Sequence, residues 1–331
     1  MTQTTSSEPT AEEDYGTHPG ASANRFFTAL STSAGALILV TLAAVATFLL
    51  AEAWPAITMG AAELGESVSF IKPDQGQSLI EIIGYLIYGT LLISIIALIL
   101  ATPVAIGIAL FISHYAPRRL AQGLGYLIDL LAAVPSVVYG LWGVAVLVPT
   151  LQPFYQWLAD NLGFIPLFAA PENGQIFTGR VAMSAGIVLA IMIIPIITAV
   201  SREVFLQTPK LHEEAALAMG ATRWEMVKMA VFPFGRSGMI GATMLGLGRA
   251  LGETMAVLMI IGPGLTYSAH ILQPGQHNTI AAYIALQFPE ANALGVNSLI
   301  AMGLALFVIT LLVNMLARWI VSRRSEFSGA N

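Results

Sequence analysis

Apolar residues gather in six long runs, at residues 26–51, 82–113, 122–149, 181–200, 237–262 and 298–317, with more polar segments between them. Each run reaches the ~20 residues that a helix needs to cross the hydrocarbon core of a bilayer. None alternates apolar and polar residues with period two. A spanning segment without that alternation must satisfy its own backbone hydrogen bonds, and is predicted to be an α-helix. The second run carries no charge across 82–113. At 1.5 Å per residue it would extend roughly 48 Å, beyond the membrane core, so Pro103 is predicted to kink it and its end to reach the membrane surface. Pro135 with Ser136, and Pro195, are predicted kinks in the third and fourth runs.

The polar stretch from Thr208 to Pro233 breaks this pattern. Thr208 and Pro209 form a helix start, and Gly220 forms a stop, because glycine accepts the left-handed conformation that other residues resist. A second helix is predicted at once: Thr222 and Glu225 have the spacing of a capping box, and Pro233 marks where that helix cannot simply continue. Leu211, Ala215 and Ala218 share one face of the first helix, and Trp224, Val227 and Val231 share one face of the second. With the charges turned the other way, both helices read as docking elements rather than spanning ones.

Composition agrees with a membrane protein. The 331 residues are 56% hydrophobic and only 10% charged, and the mean hydropathy is +0.76, far too apolar for an ordinary soluble domain. If the N-terminus is inside, eleven of the fourteen Lys and Arg residues fall on one side; Lys72 and Arg180 fall on the other, and Arg249 lies within a run. That asymmetry predicts both termini, and the 208–233 stretch, in the cytoplasm. Residues 1–24, rich in Thr, Ser and Glu and without a basic residue, read as a disordered acidic tail. Residues 321–331 form a second tail, and 25–320 the membrane domain. Ala51-Glu52-Ala53 resembles a signal-peptidase site, but a long run behind an acidic tail is the wrong shape for a cleaved signal. The absence of cysteine excludes disulfides and cysteine-ligated metals. Connections of about 30 residues follow the first, third and fifth runs, and a short interfacial helix is predicted at 154–162.

Charge enters the membrane in the fifth run. Arg249 and Glu253 lie four residues apart, on one face if the helix is continuous. Each ionised side chain at such depth costs at least about 2.5–3.5 kcal/mol. Gly241, Gly246, Gly248 and Gly252 would make a thin helix face for close approach. The pair admits three readings. It can be a self-neutralising structural ion pair, or an anion site in which the Arg249 fork binds a tetrahedral oxyanion and Glu253 orients it. It can also be a proton relay, for which a single carboxylate is a poor supply of exchanging groups. Asp129 reads as an interfacial residue. His270 and His277, without a third ligand, read as solvated loop residues rather than a metal site.

Three stretches carry a family resemblance. Glu214-Ala215-Ala216, three residues, Gly220, nine residues, then Ala230-Val231-Phe232-Pro233 resembles the loop signature of ABC importer permeases, with Ala230 where Ile is usual. GLGRALGETMAV around Arg249 and Glu253, and DLLAAVPSVVYGLWG at 129–143, resemble PstC-type permease subunits of the bacterial phosphate-specific importer. The sister subunit has Ala-Pro where this chain has Met255-Ala256. The resemblance covers about residues 26–320. It implies an all-α membrane protein with six transmembrane helices, the type I ABC importer (MetI-like) permease fold, with cytoplasmic coupling helices in the 202–236 loop.

The implied function is that of the permease subunit of an ATP-driven phosphate importer in the bacterial inner membrane, forming half of the translocation pathway. The implied partners are a second homologous permease subunit (PstA-like), a dimer of ATPase subunits (PstB-like) and an extracytoplasmic phosphate-binding protein (PstS-like), with no nucleic acid. Arg249 and Glu253 become substrate-pathway residues. Glu214, Ala215, Ala216, Gly220, Thr222 and Pro233 become the ATPase-coupling loop. The resemblance implies no metal or cofactor on this chain, with ATP and Mg used by the partner; accordingly the chain has no Gly-x4-Gly-Lys-Ser/Thr loop. Arg249 alone would accept any tetrahedral oxyanion, so a sulfate or molybdate permease stands as the alternative, beside a membrane scaffold that would not need a buried arginine. An intramembrane hydrolase lacks its motifs.

Overall fold

A computed structural model describes residues 21–72, 77–171 and 174–325. Most of the two predicted tails lies outside the described residues; the parts that are described, 21–24 and 321–325, are helical. The chain divides into two compact units, residues 1–48 and 49–331. In the first, helix α1 (Ala21–Thr58) begins at Ala21. The second takes in the end of α1 and all later elements.

Helix α2 (Ala61–Ser67) is short, and α3 (Leu79–Leu110) is the longest element of the core. A capping box at Ser78 and Glu81 opens α3, a signal the hydropathy pattern overlooks. Pro103 lies inside α3, which widens at its end into a π-helix, Phe111–Tyr115. The predicted third span is divided. Helix α4 (Arg118–Ala132) ends before Pro135, and α5 (Ser136–Trp142) starts after it. Proline has no N–H to donate and biases the preceding residue away from helix, so the kink expected there becomes a full interruption. From α5 the chain passes through a π-turn at Gly143–Leu147 into α6 (Val148–Leu162), which absorbs the separate helix predicted at 154–162.

Helix α7 (Ala182–Leu206) carries Pro195 without breaking. The polar stretch forms α8 (Lys210–Ala218) and the one-turn α9 (Arg223–Met226). A π-segment, Val227–Val231, then leads into α10 (Phe232–Leu251). The predicted fifth span is not continuous, because α10 stops at Leu251 and α11 (Met255–Ile260) starts afresh. Helices α12 (Ile280–Gln287) and α13 (Ala293–Ser325) complete the chain. Among the described residues no strand is present, and five helical stretches are long and apolar enough to cross a membrane: Phe26–Thr58, Leu79–Tyr115, Ser136–Leu162, Ala182–Leu206 and Ala293–Trp319. The interrupted α10–α11 segment is not one of them.

Small residues set the core. Ala97, Ala101, Ala105 and Ala109, one turn apart on α3, are completely buried, and α7 lies along this alanine stripe. A methyl group on Gly186 of α7 would collide with Ile96, and the Thr198 hydroxyl donates to the Ala105 carbonyl at 3.3 Å. Further along the chain, Gly238 of α10 faces Val204 of α7 and Gly246 faces Ile197. Close approach through small residues is how helices associate where no hydrophobic force drives them together.

Candidate functional site

The polar stretch folds largely as its punctuation predicts. Gly220 has φ +87°, a conformation that side chains resist. The Thr222 hydroxyl accepts the Glu225 N–H at 3.3 Å, and Glu225 Oε2 accepts the Thr222 N–H at 2.8 Å. The Thr222 N–H first and the Thr222 hydroxyl second, the latter donating to the same Oε2 at 2.8 Å, hold the exposed Glu225 carboxyl below its ordinary pKa.

The faces of the two helices differ from each other. On α8, Leu211, Ala215 and Ala218 remain exposed, whereas Ala216 is buried among Ala109, Leu110, Phe205 and Val227. On the second helix the expected docking face turns inward: Val227 and Val231 are fully buried in the same cluster. Only Trp224 stays half-exposed, with the Lys228 ammonium 5.0 Å from its ring centre. Pro233 does not stop the helix as predicted. It occupies the first turn of α10, where a missing N–H costs little, and the π-segment immediately before it relaxes the ring's clash with the preceding turn. Glu214 is exposed and in no ion pair, while its neighbour Glu213 reaches His114 at 3.5 Å, the only ion pair among the described residues.

Arg249 lies just before the break at Gly252–Thr254, and Glu253 lies within it. The continuous helix that would place them on one face is absent, and no ion pair joins them. Each charge is instead placed at a helix end. Arg249 lies in the last turn of α10, where the carbonyl end of the dipole favours a cation. Glu253, buried, accepts the Ala256 N–H on Oε1 at 3.1 Å and so caps the start of α11; Oε2 has no partner among the described residues. Arg249 Nε is buried and has no acceptor. On α5, the Tyr139 hydroxyl donates to Leu131 O at 3.0 Å and so ties α5 back to α4.

The glycines of α10 divide between two faces, which corrects the single thin face read from the sequence. Gly246 packs on Ile197, whereas a side chain at Gly241 or Gly248 would meet nothing within 4 Å, and Gly252 ends the helix. Gly140 of α5 comes close to Ala256 of α11, where an added methyl would lie 2.9 Å from its Cα. Asp129 is exposed on α4.

Sequence reasoning missed the closure beyond α11. The Arg180 guanidinium donates to Met259 O at 2.9 Å and to Ile260 O at 3.3 Å, covering the C-terminal carbonyls of α11. Residues 261–279 are held by Ile271, which pairs with Leu167 O and the Met183 N–H, each at 3.1 Å. Ser268 O accepts from Tyr88 Oη at 2.8 Å and from His277 Nε2 at 2.6 Å. Thus His277, read as a solvated loop residue, is almost fully buried. No local spacing announces these contacts, because Arg180 and its acceptors lie about 80 positions apart.

Comparison with known proteins decides the family. Residues 101–326 match the model of the binding-protein-dependent transport system inner membrane component. The chain belongs to this family. It is 46% identical over 301 residues to the phosphate transport system permease protein PstC 2 of Mycobacterium tuberculosis, covering 91% of this chain and 92% of that protein. It is 40% identical over 312 residues to PstC of Xylella fastidiosa, covering 93% and 94%. A solved structure of the inward-facing MetNI methionine ABC transporter matches 73% of this chain and 95% of its own at TM-score 0.51 and 14% identity, which speaks for the fold alone. The chain is therefore an inner-membrane permease with the ABC importer fold, as its loop signature implied. These two relatives align along nearly their whole lengths.

Proposed function

We propose that this chain is the permease subunit through which inorganic phosphate enters the cell, and that Arg249 and Glu253 line the route. One observation carries the reading: a guanidinium stands at a helix break with a buried N–H that has no acceptor and no carboxylate paired to it. An uncompensated charge at membrane depth is expensive and is retained where it serves a substrate or an ion. A broken helix also leaves backbone groups and dipole ends free to face a ligand, as transporter sites commonly do. The phosphate named in the PstC relatives supplies the oxyanion that Arg249 suits through its fork of fixed donors.

In this reading the basic-residue asymmetry places α8 and α9 in the cytoplasm, and α10 with α11 forms the sixth crossing. A binding protein delivers phosphate from outside, and a homologous permease chain completes the passage. ATPase subunits grip the exposed face of α8, close on ATP, and the helices rock between outward- and inward-open states through contacts that differ in the two. Glu253 Oε2, free of partners, accepts a hydrogen bond from protonated phosphate, whereas sulfate has no proton to offer.

The test is radiolabelled phosphate uptake into proteoliposomes that hold this chain, its sister permease, ATPase and binding protein. Arg249→Gln should abolish uptake with the complex intact; unchanged uptake would return Arg249 to a structural role. Glu253→Gln should lower uptake and weaken the preference for phosphate over sulfate, and an unchanged preference would refute the selectivity assigned to the carboxylate.

A further inference from the structure

We propose that Glu213 and His114 form the strut through which movement of α8 reaches the membrane helices, and that both are positioning residues for coupling. The proposal rests on the reading of α8 as the element an ATPase subunit grips, and goes beyond it by naming the path that motion takes into the bundle.

Helix α8 presents two opposite faces. Leu211, Ala215 and Ala218 lie outward, and Leu211 is 76% exposed. Glu213 and Ala216, three residues apart and thus on one side of the helix, lie inward. Ala216 is buried in the cluster that contains Ala109 and Leu110 of α3 together with Phe205, Val227 and Val231, and Glu213 Oε1 stands 3.5 Å from Nε2 of His114 in the π-helix that ends α3. The ion pair is the polar contact of α8 with the end of α3.

The surroundings of the imidazole set its direction. Ser113 Oγ donates to Leu110 O at 3.2 Å and lies 2.7 Å from His114 Nδ1. The imidazole is thus held on both sides, by Ser113 at Nδ1 and by the Glu213 carboxylate at Nε2. The His114 side chain is only 8% exposed, so water competes little for it. An apolar contact such as that of Ala216 can slide, whereas a polar contact whose ring has a second anchor resists both separation and rotation. A displacement of α8 is thereby passed to the π-turn, and from it along the fully buried alanine stripe of α3 that lies against α7.

The experiment uses the reconstituted complex and reads phosphate imported per ATP hydrolysed, together with co-purification of the ATPase subunit. Glu213→Gln and His114→Gln should each lower the ratio at least threefold while the ATPase subunit still co-purifies. His114→Lys, which places a fixed cation opposite Glu213, should retain most of the ratio. The exchanged pair His114→Glu with Glu213→Lys should recover more of it than either single reversal. A ratio unchanged in both Gln variants, or failure of His114→Lys and of the exchanged pair alike, would overturn the strut. Loss of the ATPase subunit in Glu213→Gln alone would overturn it differently, by assigning Glu213 to the partner's surface. If α8 is not gripped by an ATPase at all, Leu211→Glu on the outward face will leave co-purification intact; that result would sink the docking reading itself.

Discussion

Replacing Gly246 or Gly248 by alanine makes the same chemical change two residues apart on α10, yet the two variants should move stability in opposite directions. At Gly248 the new methyl meets nothing within 4 Å. Helix propensity then acts alone and favours alanine by roughly 0.5–1 kcal/mol. At Gly246 the methyl would lie 2.8 Å from both Cδ1 and Cγ1 of Ile197, a fully buried, β-branched side chain with little freedom to step aside. Overpacking of this kind costs about 1–3 kcal/mol. The same propensity gain offsets part of it, which leaves a net loss of up to roughly 2.5 kcal/mol and a gap of about 1–3 kcal/mol between the variants. Unfolding midpoints in detergent, compared at equal purity, should place Gly246→Ala below wild type and Gly248→Ala at or above it. At roughly 2–4 °C per kcal/mol for a chain of this order of size, the gap is measurable. Equal midpoints, or a more stable Gly246→Ala, would refute the packing of α10 on α7 and with it the division of the glycines between a packed and an open face.

Two further outcomes follow from the loops. Gly220→Ala places no atom against a neighbour, so its whole effect is the conformational one at φ +87°, about 1–2 kcal/mol. The turn between α8 and α9 should shift, and ATPase subunits should dissociate or hydrolyse without transport; coupled uptake in a stably expressed variant would count against the docking assignment. At His277, burial is the larger cause that holds the imidazole below its ordinary value of 6.5. The unfolded loop takes up a proton near that pH and the folded loop only at lower pH, so this contribution to stability is present above about 6.5 and is lost as pH falls below it. The protection factor of the Ile271 amide, with the intrinsic pH dependence of exchange divided out, should drop on acidification in wild type and less steeply in His277→Gln; parallel profiles would show that the ring does not hold the loop.

The sequence by itself determined the class of protein, the position of four of its long apolar helices and the punctuation of the polar 208–233 stretch. These are local or additive properties: an apolar run, a glycine at a left-handed turn and a Thr–Glu capping box act within a few residues and survive whatever packs around them. The same locality explains why Arg249 and Glu253 could be singled out, since no neighbour is needed to see that charge at that depth is costly. Only the tertiary structure decided how they are arranged. A four-residue spacing predicts a pair on one face, but the helix stops at Leu251, and the two groups stand apart, Arg249 in the last turn of α10 and Glu253 capping α11. Tertiary contacts likewise turned Val227 and Val231 inward and buried His277 under Tyr88. They also chose Glu213 rather than Glu214 to meet His114. Each of these depends on which surface another element presents across tens or hundreds of residues, and hydrophobic periodicity records that a face will be covered without recording by what.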